Sequence, residues 1–508
     1  MFTFLWRRLL QGLATLLTSS FLMYLLVSVS IRPLQDLEES TARNKAQLIA
    51  ARRQILDLDT PVVMRYVKWL GNAVTGDLGT AWKSGQAVND KLGGAMLSTL
   101  QLVGAATVLA ILFGVAVGII SALRQYSAFD YLITFVSFLL YSLPAFWVAV
   151  LLKQWGAIGF NTFLADPVQS WTSMLVAGVI LGLLWSLAMG GAWQRRLLTF
   201  VLALVATVAV LFYLWASDWW SSPNLGPVLI AVVGTAVAFG VTTLSTGLRH
   251  RRSLYSALTV VALGLALYMP LQYLFAYVTF NWLLMIGLGV VAALSGYLVG
   301  RLWGGPDWAQ SARTAAITAV IIASMVFLDR VMQVWPDFFG SQAIGGRPIA
   351  TVGDATPNLG GDFWVRTLDS YTHLVLPTIS LLLISFAGYT RYARASMLEV
   401  MGQDYIRTAR AKGLSERTVV MRHGFRNSLI PLATIVPLDI VALFGGAIIT
   451  EKVFGRPGMG QLFIKSLTNA EIEPIMAYLV ITATLAIAAN IVADLIYAAL
   501  DPRIRVNA

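Results

Sequence analysis

The sequence contains no cysteine and only three histidines, His250, His373 and His423. Without thiols there can be no disulfide, no thiolate metal site and no cysteine nucleophile. Histidines this far apart in sequence argue against a dedicated metal site, and none is expected. Charge is also scarce: 12% of the 508 residues are Asp, Glu, Lys or Arg, about half the roughly 25% usual in a soluble domain. No glycine is followed directly by lysine, so a Gly-Lys-Ser/Thr phosphate loop is excluded. The chain therefore carries no nucleotide-hydrolysing motif of its own, and it is not expected to be an enzyme.

What the chain has instead is apolar surface. Hydrophobic residues make up 57% of it and the mean hydropathy is +0.73. A core of this size cannot hide that much, so the bilayer must act as solvent for it. The expectation is an all-α integral membrane protein. Apolar runs of spanning length occur at about twelve places, 9–31, 99–120, 131–152, 171–190, 197–216, 228–248, 254–275, 283–300, 315–328, 374–389, 429–449 and 475–500. The first, preceded by Arg7 and Arg8, reads as an uncleaved span with its amino terminus in the cytoplasm.

Threading the runs from that start sorts the charges. The turns assigned to the cytoplasm hold Arg124, Arg195 and Arg196, Arg249 to Arg252, Arg301 and Arg313, whereas the outside turn at 218–224 holds no basic residue. The net charge of +11 is thus a positive-inside bias, and no nucleic-acid partner is expected. The loop 32–98 lies outside and carries an amphipathic helical pattern at 37–58. Three apolar hairpins in the middle third follow one another at about 55 residues, a spacing typical of internal repeats. Asp329 and Arg330 fall at the outer edge of a span, where interfacial placement is cheap. Asp439 falls within one, where an ionisable group suggests a pathway or a relay. Tryptophans cluster near span ends, as in an aromatic belt.

The most informative stretch is polar. Asp404-Tyr405-Ile-Arg407-Thr408-Ala409-Arg410-Ala411-Lys412-Gly413 is followed by Leu-Ser415-Glu-Arg and leads to His423. Gly413 stands where a helix would end and Ser415 where the next would begin, which predicts helix, tight turn, helix. The segment 391–426 carries eight Lys/Arg against Glu399, Asp404 and Glu416. It resembles the cytoplasmic coupling loop of binding-protein-dependent ABC importer permeases of the oligopeptide and dipeptide type. Arg407-Thr-Ala409 stands for the Glu-Ala-Ala of the general importer pattern and His423-Gly-Phe-Arg426 for its Ile-x-Leu-Pro, as in the peptide branch. Tyr141-Ser-Leu-Pro-Ala-Phe-Trp147, His373-Leu-Val-Leu-Pro377, Val453-Phe-Gly-Arg-Pro-Gly-Met-Gly460 and Leu500-Asp-Pro-Arg-Ile-Arg505 match further family segments, in the family's order.

The resemblance covers roughly 1–153 and 367–508. It implies a six-helix type I permease core in two parts, with an unusual insertion of about six spans at 154–366. It also implies residence in the bacterial cytoplasmic (inner) membrane with both termini cytoplasmic, contacts with membrane lipids, a second homologous permease subunit and two ABC ATPase subunits. Those subunits would bind ATP and magnesium, and this chain would hold no cofactor. An extracytoplasmic substrate-binding protein would dock on 32–98 and on 451–472. Residues 404, 405 and 407–413 are the expected ATPase-coupling positions, with Ala409 and Ala411 small enough for close approach and Arg407, Arg410 and Lys412 free to meet acidic groups. The expected cargo is di- or oligopeptides; a nickel complex, or an ion-coupled secondary transporter of about twelve spans, are the alternatives.

Overall fold

The computed structural model describes residues 2–167 and 170–500. A chain in hydrocarbon must satisfy its backbone polar groups within the segment, so the apolar runs become helices; about twenty residues at 1.5 Å each cover the roughly 30 Å of a bilayer core. The first part of the chain forms α1 (Phe2–Ser30), then α2 (Lys45–Ile55) and α3 (Val62–Val74), then a small hairpin of β1 (Thr80–Ala81) and β2 (Gln86–Ala87), paired antiparallel with Thr80 opposite Ala87. It continues with α4 (Val88–Leu123), α5 (Ala128–Ser142) and α6 (Ala145–Leu151), the last extended by a π-helical stretch and a further turn to Ala165. The middle part holds α7 (Trp171–Met189), α8 (Trp193–Ala216), α9 (Gly226–Ser245), α10 (Arg251–Ala266), α11 (Tyr268–Tyr277), α12 (Trp282–Gly304) and α13 (Trp308–Gln333). The last part holds α14 (Phe363–Met401), α15 (Asp404–Ala411), α16 (Arg426–Gly446), α17 (Ile448–Val453), α18 (Met459–Thr468) and α19 (Ile472–Leu500).

Each of the twelve apolar runs falls largely on helix. Among the described residues ten helical stretches are long and apolar enough to cross a membrane, or eleven with the pair α10–α11, which bends by 45°, taken as one span. The lower count than the expected twelve comes from 282–339, a 58-residue stretch in which α12 and α13 fold back on each other. Gly304 abuts Trp308, Gly300 abuts Ala312 and Gly296 abuts Ala319, so the two helices run antiparallel. The run 131–152 is also not one straight helix. It breaks at Leu143, whose ψ of 131 is extended, because Pro144 disfavours the helical conformation of the residue before it.

The core is built on α4 and α14. Gly114 packs against Tyr389, and Gly118 against Thr390 and Ala393. Residue numbers rise together along this contact, so the two helices are parallel, and with α5–α6 as one crossing an even number of spans must lie between α6 and α14. A lower layer of Ala110, Val115, Ile119 and Ala122 meets Tyr389, Ala393 and Met397, while Leu102 and Ala106 meet Leu381 nearer the helix starts. On the opposite flank α1 and α19 pack together, joined by Tyr24, Tyr66 of α3, Ile475 and Met476.

The three middle hairpins are not equivalent. α7 and α8 pair through Gly178 and Gly182 against Leu204 and Phe200, and α8 buries no residue. α9, α10, α12 and α13 instead form two clusters, one around Val261 and Ile322 and one around Ile230 and Val326, which meets α14 through Trp364 and Leu368.

Candidate functional site

The helix–turn–helix signal is local, and the local structure follows it. α15 ends in a left-handed glycine: Gly413 has φ +75. Its N–H donates to the Arg410 carbonyl (2.9 Å) and the Leu414 N–H donates to the Ala409 carbonyl (3.4 Å), the paired bonds of a Schellman motif. Ser415 then caps the next turn, Glu416–Thr418, its Oγ accepting from the Thr418 N–H. A π-helical stretch, Val419–Phe425, leads into α16.

α15 is amphipathic. Ile406 and Ala409, three positions apart, are buried together with Val419 and Met401, the last residue of α14. Asp404, Tyr405, Arg407, Thr408, Arg410, Ala411, Lys412 and Gly413 are all exposed. The elbow is therefore keyed into the end of α14 by an apolar pair and presents a polar face outward. Ala409 packs against the chain's own Val419 and Met401. Arg410 is paired within the chain: Nη2 and Nε donate to the Glu416 carboxylate at 2.7 and 3.1 Å, and that carboxylate holds the Arg410 proton more tightly than usual. Arg407 lies 3.6 Å from Asp404, while Lys412 has no ion-pair partner among the described residues. Asn427 donates to the Tyr405 hydroxyl at 3.0 Å.

A second, buried tie continues the connection. Arg394 of α14 donates from Nε and Nη2 to both oxygens of Asp130, at 2.7 and 2.9 Å, and Ser121 of α4 donates to the same carboxylate. Asp130 is 2% exposed, so this bidentate pair locks the α4–α5 turn to the helix that ends at the elbow. Other turns gather on the same face. Arg417 donates to the Thr243 carbonyl at the end of α9, the Arg252 guanidinium lies beside Gly305, and Arg124 donates to the Ala188 carbonyl at 3.5 Å.

Asp439 is not part of this site. It lies thirteen residues into α16, roughly 20 Å along the axis, half-buried and facing Tyr389 of α14. Asp329 lies near the end of α13, fully buried against the start of α9, and accepts from the Leu225 and Gly226 N–H groups (2.7 and 3.0 Å), the Tyr268 hydroxyl (2.6 Å), and the amides of Gln272 (3.2 Å) and Gln333 (2.8 Å).

The segment 451–472 is also less available than expected. Glu451 is fully buried, accepting from Thr99 Oγ1 (2.6 Å) and the Gln461 N–H (3.1 Å). Arg456, 3% exposed, donates to the Ser98 carbonyl and to Gln101. This stretch staples the second half of the core to α4, leaving Lys452, Lys465 and Leu467 among its exposed side chains. The motif at 500–505 lies, beyond its first residue, outside the described residues.

Residues 344–506 match the family of binding-protein-dependent transport system inner membrane components. The chain is 26% identical to the oligopeptide transport system permease protein OppB of Mycobacterium tuberculosis over 504 residues, 99% of each chain; that alignment runs through 154–366. It is 47% identical over 136 residues, 27% of this chain and 43% of the other, to the oligopeptide transport system permease protein AppB of Bacillus subtilis. Over 138 residues, 27% of this chain and 41% of the other, it is 41% identical to the dipeptide transport system permease protein DppB of Escherichia coli.

Proposed function

We propose that the chain is a member of the binding-protein-dependent permease family that it resembles and one of two membrane subunits of an ATP-driven importer of di- or oligopeptides. The cargo class follows the relatives, which are named as oligopeptide and dipeptide permeases. In this reading a substrate-binding protein delivers peptide to the outer face, a second homologous permease completes the pathway, and two ATPase subunits supply the work. Both termini and the elbow face the cytoplasm, which agrees with the gathering of Arg124, Arg252 and Arg417 on one face. Residues 1–153 and 367–508 form the permease core, and 154–366 is an added membrane module.

The observation that carries this reading is the elbow itself. Its exposed face has Tyr405, Arg407, Thr408 and Lys412 available for an ATPase groove. Its buried face, Ile406 and Ala409, transmits displacement to Met401 and hence to α14. Arg394 and Asp130 then carry it to α4 and α5, so that rigid-body rocking of a parallel helix pair opens one side or the other. Asp439 faces the pathway in this scheme.

The test is uptake of a labelled dipeptide into liposomes holding the complete complex, energised by ATP or by an ion gradient. Gly413→Pro is incompatible with φ +75 and removes the N–H that bonds Arg410. ATP-driven uptake should be lost while membrane insertion stays normal; undiminished uptake refutes the coupling role. Uptake driven by the ion gradient alone would favour a secondary transporter, and uptake of a nickel complex in place of dipeptide would reassign the cargo.

A further inference from the structure

At the end of the core opposite the elbow, a cavity of about 500 Å³ lies between α3, the β-hairpin and the first turn of α19. Its walls include Tyr24, Arg65, Trp69, Trp82 and Glu473. The volume is in the range of small-ligand sites, roughly 300–1,000 Å³. The surrounding frame is built rather than loose. Trp82 donates from its indole to the Ala470 carbonyl (3.2 Å) and Arg52 stacks over its ring at 4.4 Å. The Lys83 N–H donates to Glu471 (3.1 Å). Tyr24, Tyr66 and Trp69 pack ring against ring.

The polar groups on these walls divide into two sets. Lys68 and Asp57 satisfy each other at 2.7 Å, and Asp77 accepts from the Gly79 N–H. Three others are buried with no hydrogen-bond partner from the protein: Arg65 Nε, Trp69 Nε1 and Glu473 Oε2. Trp69 as a whole is 7% exposed. Buried polar atoms are nearly always paired, so three orphans among the residues lining one cavity are unusual. Arg65 and Glu473, of opposite charge, face the same space, yet neither forms an ion pair among the described residues. A cation and an anion held apart across a cavity, rather than bonded to each other, are complementary to a molecule carrying both charges.

We propose that this cavity binds a small zwitterion, with its ammonium group toward Glu473 and its acidic group toward Arg65 and the Trp69 N–H. A guanidinium fork suits a carboxylate or phosphate, an indole N–H adds a donor to the same group, and the Tyr24 and Trp69 rings give the ammonium end an aromatic surface. An amino acid or short peptide has this chemistry, and so does an aminophospholipid headgroup. The site lies away from the half-buried Asp439 and needs neither ATP nor a partner subunit. It therefore stands or falls separately from the importer reading.

The experiment is scintillation-proximity binding of tritiated dialanine to the full-length chain in nanodiscs of phosphatidylglycerol alone. Saturable binding is expected. Unlabelled dialanine should compete about tenfold or more less well, the loss of one charge-assisted contact, once it is N-acetylated or C-amidated, and direct binding should weaken as much in Arg65→Gln and Glu473→Gln. Trp69→Phe keeps the aromatic wall, removes only the N–H and should weaken binding less. Should the charge variants fail to fold, the capped peptides carry the test on the unaltered chain. Nanodiscs containing phosphatidylethanolamine separate the sources: suppression of dialanine binding there, with that lipid retained in native mass spectra, assigns the site to the headgroup, and undisturbed binding assigns it to the free zwitterion. Capped and uncapped dialanine competing equally, or no saturable binding together with no retained aminophospholipid, overturns the proposal.

Discussion

The proposed permease core and the proposed module between its halves use the same packing device for different ends. In the core, Gly114 and Gly118 let α4 approach α14. In the module, Gly296, Gly300 and Gly304 let α12 approach α13. Both are ridges of small residues at every fourth position, the usual route to close helix contact in a membrane. The difference lies in what is brought together. α12 and α13 are neighbours in sequence joined by a three-residue turn, so their contact can form as soon as both helices have inserted. α4 and α14 belong to opposite ends of the chain, and their contact waits for everything between.

Buried polar groups sharpen this contrast. The core is pinned by ties between distant positions: Asp130 with Arg394, 264 residues apart, and Thr99 with Glu451, 352 apart. The module has Asp329, which draws five donors from the start of α9, from α10–α11 and from its own helix. A charge pair whose carboxylate is nearly out of water ties α14 to α5; a carboxylate ringed by neutral donors ties α9 to α11 and α13. The lesson is that α9 to α13 support one another and lean on α14 at Trp364 and Leu368 and on the elbow at Arg417.

Removing the carboxylates should separate the two regions most strongly. Asp130→Ala leaves the Arg394 guanidinium unpaired beside the core and should cost about 3 kcal/mol, read as a fall in the thermal midpoint of the purified chain together with loss of ATP-driven uptake. Asp329→Ala strands neutral donors and should cost about 2 kcal/mol, with uptake largely retained. Equal loss of uptake in both variants would break the contrast.

Crowding the two glycine ridges is the next test. A Cβ at Gly118 would lie 2.5 Å from the Thr390 carbonyl oxygen and 2.9 Å from Ala393 Cβ, and one at Gly300 would lie 2.5 Å from the Ser311 carbonyl oxygen. Backbone cannot yield in either place, so Gly118→Val and Gly300→Val should each lose about 2 kcal/mol. Gly118→Val should also stop uptake of labelled dipeptide, whereas Gly300→Val should leave it within about threefold of the parent. Transport lost in both would mean that the module is part of the pathway.

How far the sequence foretold this depends on the range of each interaction. The spans were legible because hydropathy over twenty residues is a sum, insensitive to any one contact. The elbow was legible because Gly413 and Ser415 act on the backbone within a few positions of themselves. The break before Pro144 and the inward face of Ile406 and Ala409 were legible by the proline rule and by helical spacing, though neither was drawn. The burial of Asp329 and Glu451 was not. Four of the five donors to Asp329 come from 57 to 104 positions away, and Glu451 is held chiefly by Thr99. The cavity of Arg65 and Glu473 is hidden for the same reason, since its walls are about four hundred residues apart in sequence.

The smallest effect is expected where the two regions touch beside the elbow. Arg417 reaches across to the Thr243 carbonyl and lies against Gly247, at the turn between α9 and α10. It is exposed, so Arg417→Ala should alter stability by less than about 0.5 kcal/mol. If the module merely leans on the core, ATP-driven uptake should be unchanged as well. The elbow would then move with α14 through Met401 alone, and the contact would be incidental to coupling. A threefold or larger change in uptake at unchanged stability gives the opposite answer. The turn would then act as a stop that limits how far the elbow can swing, and the module would belong to the machinery it encloses.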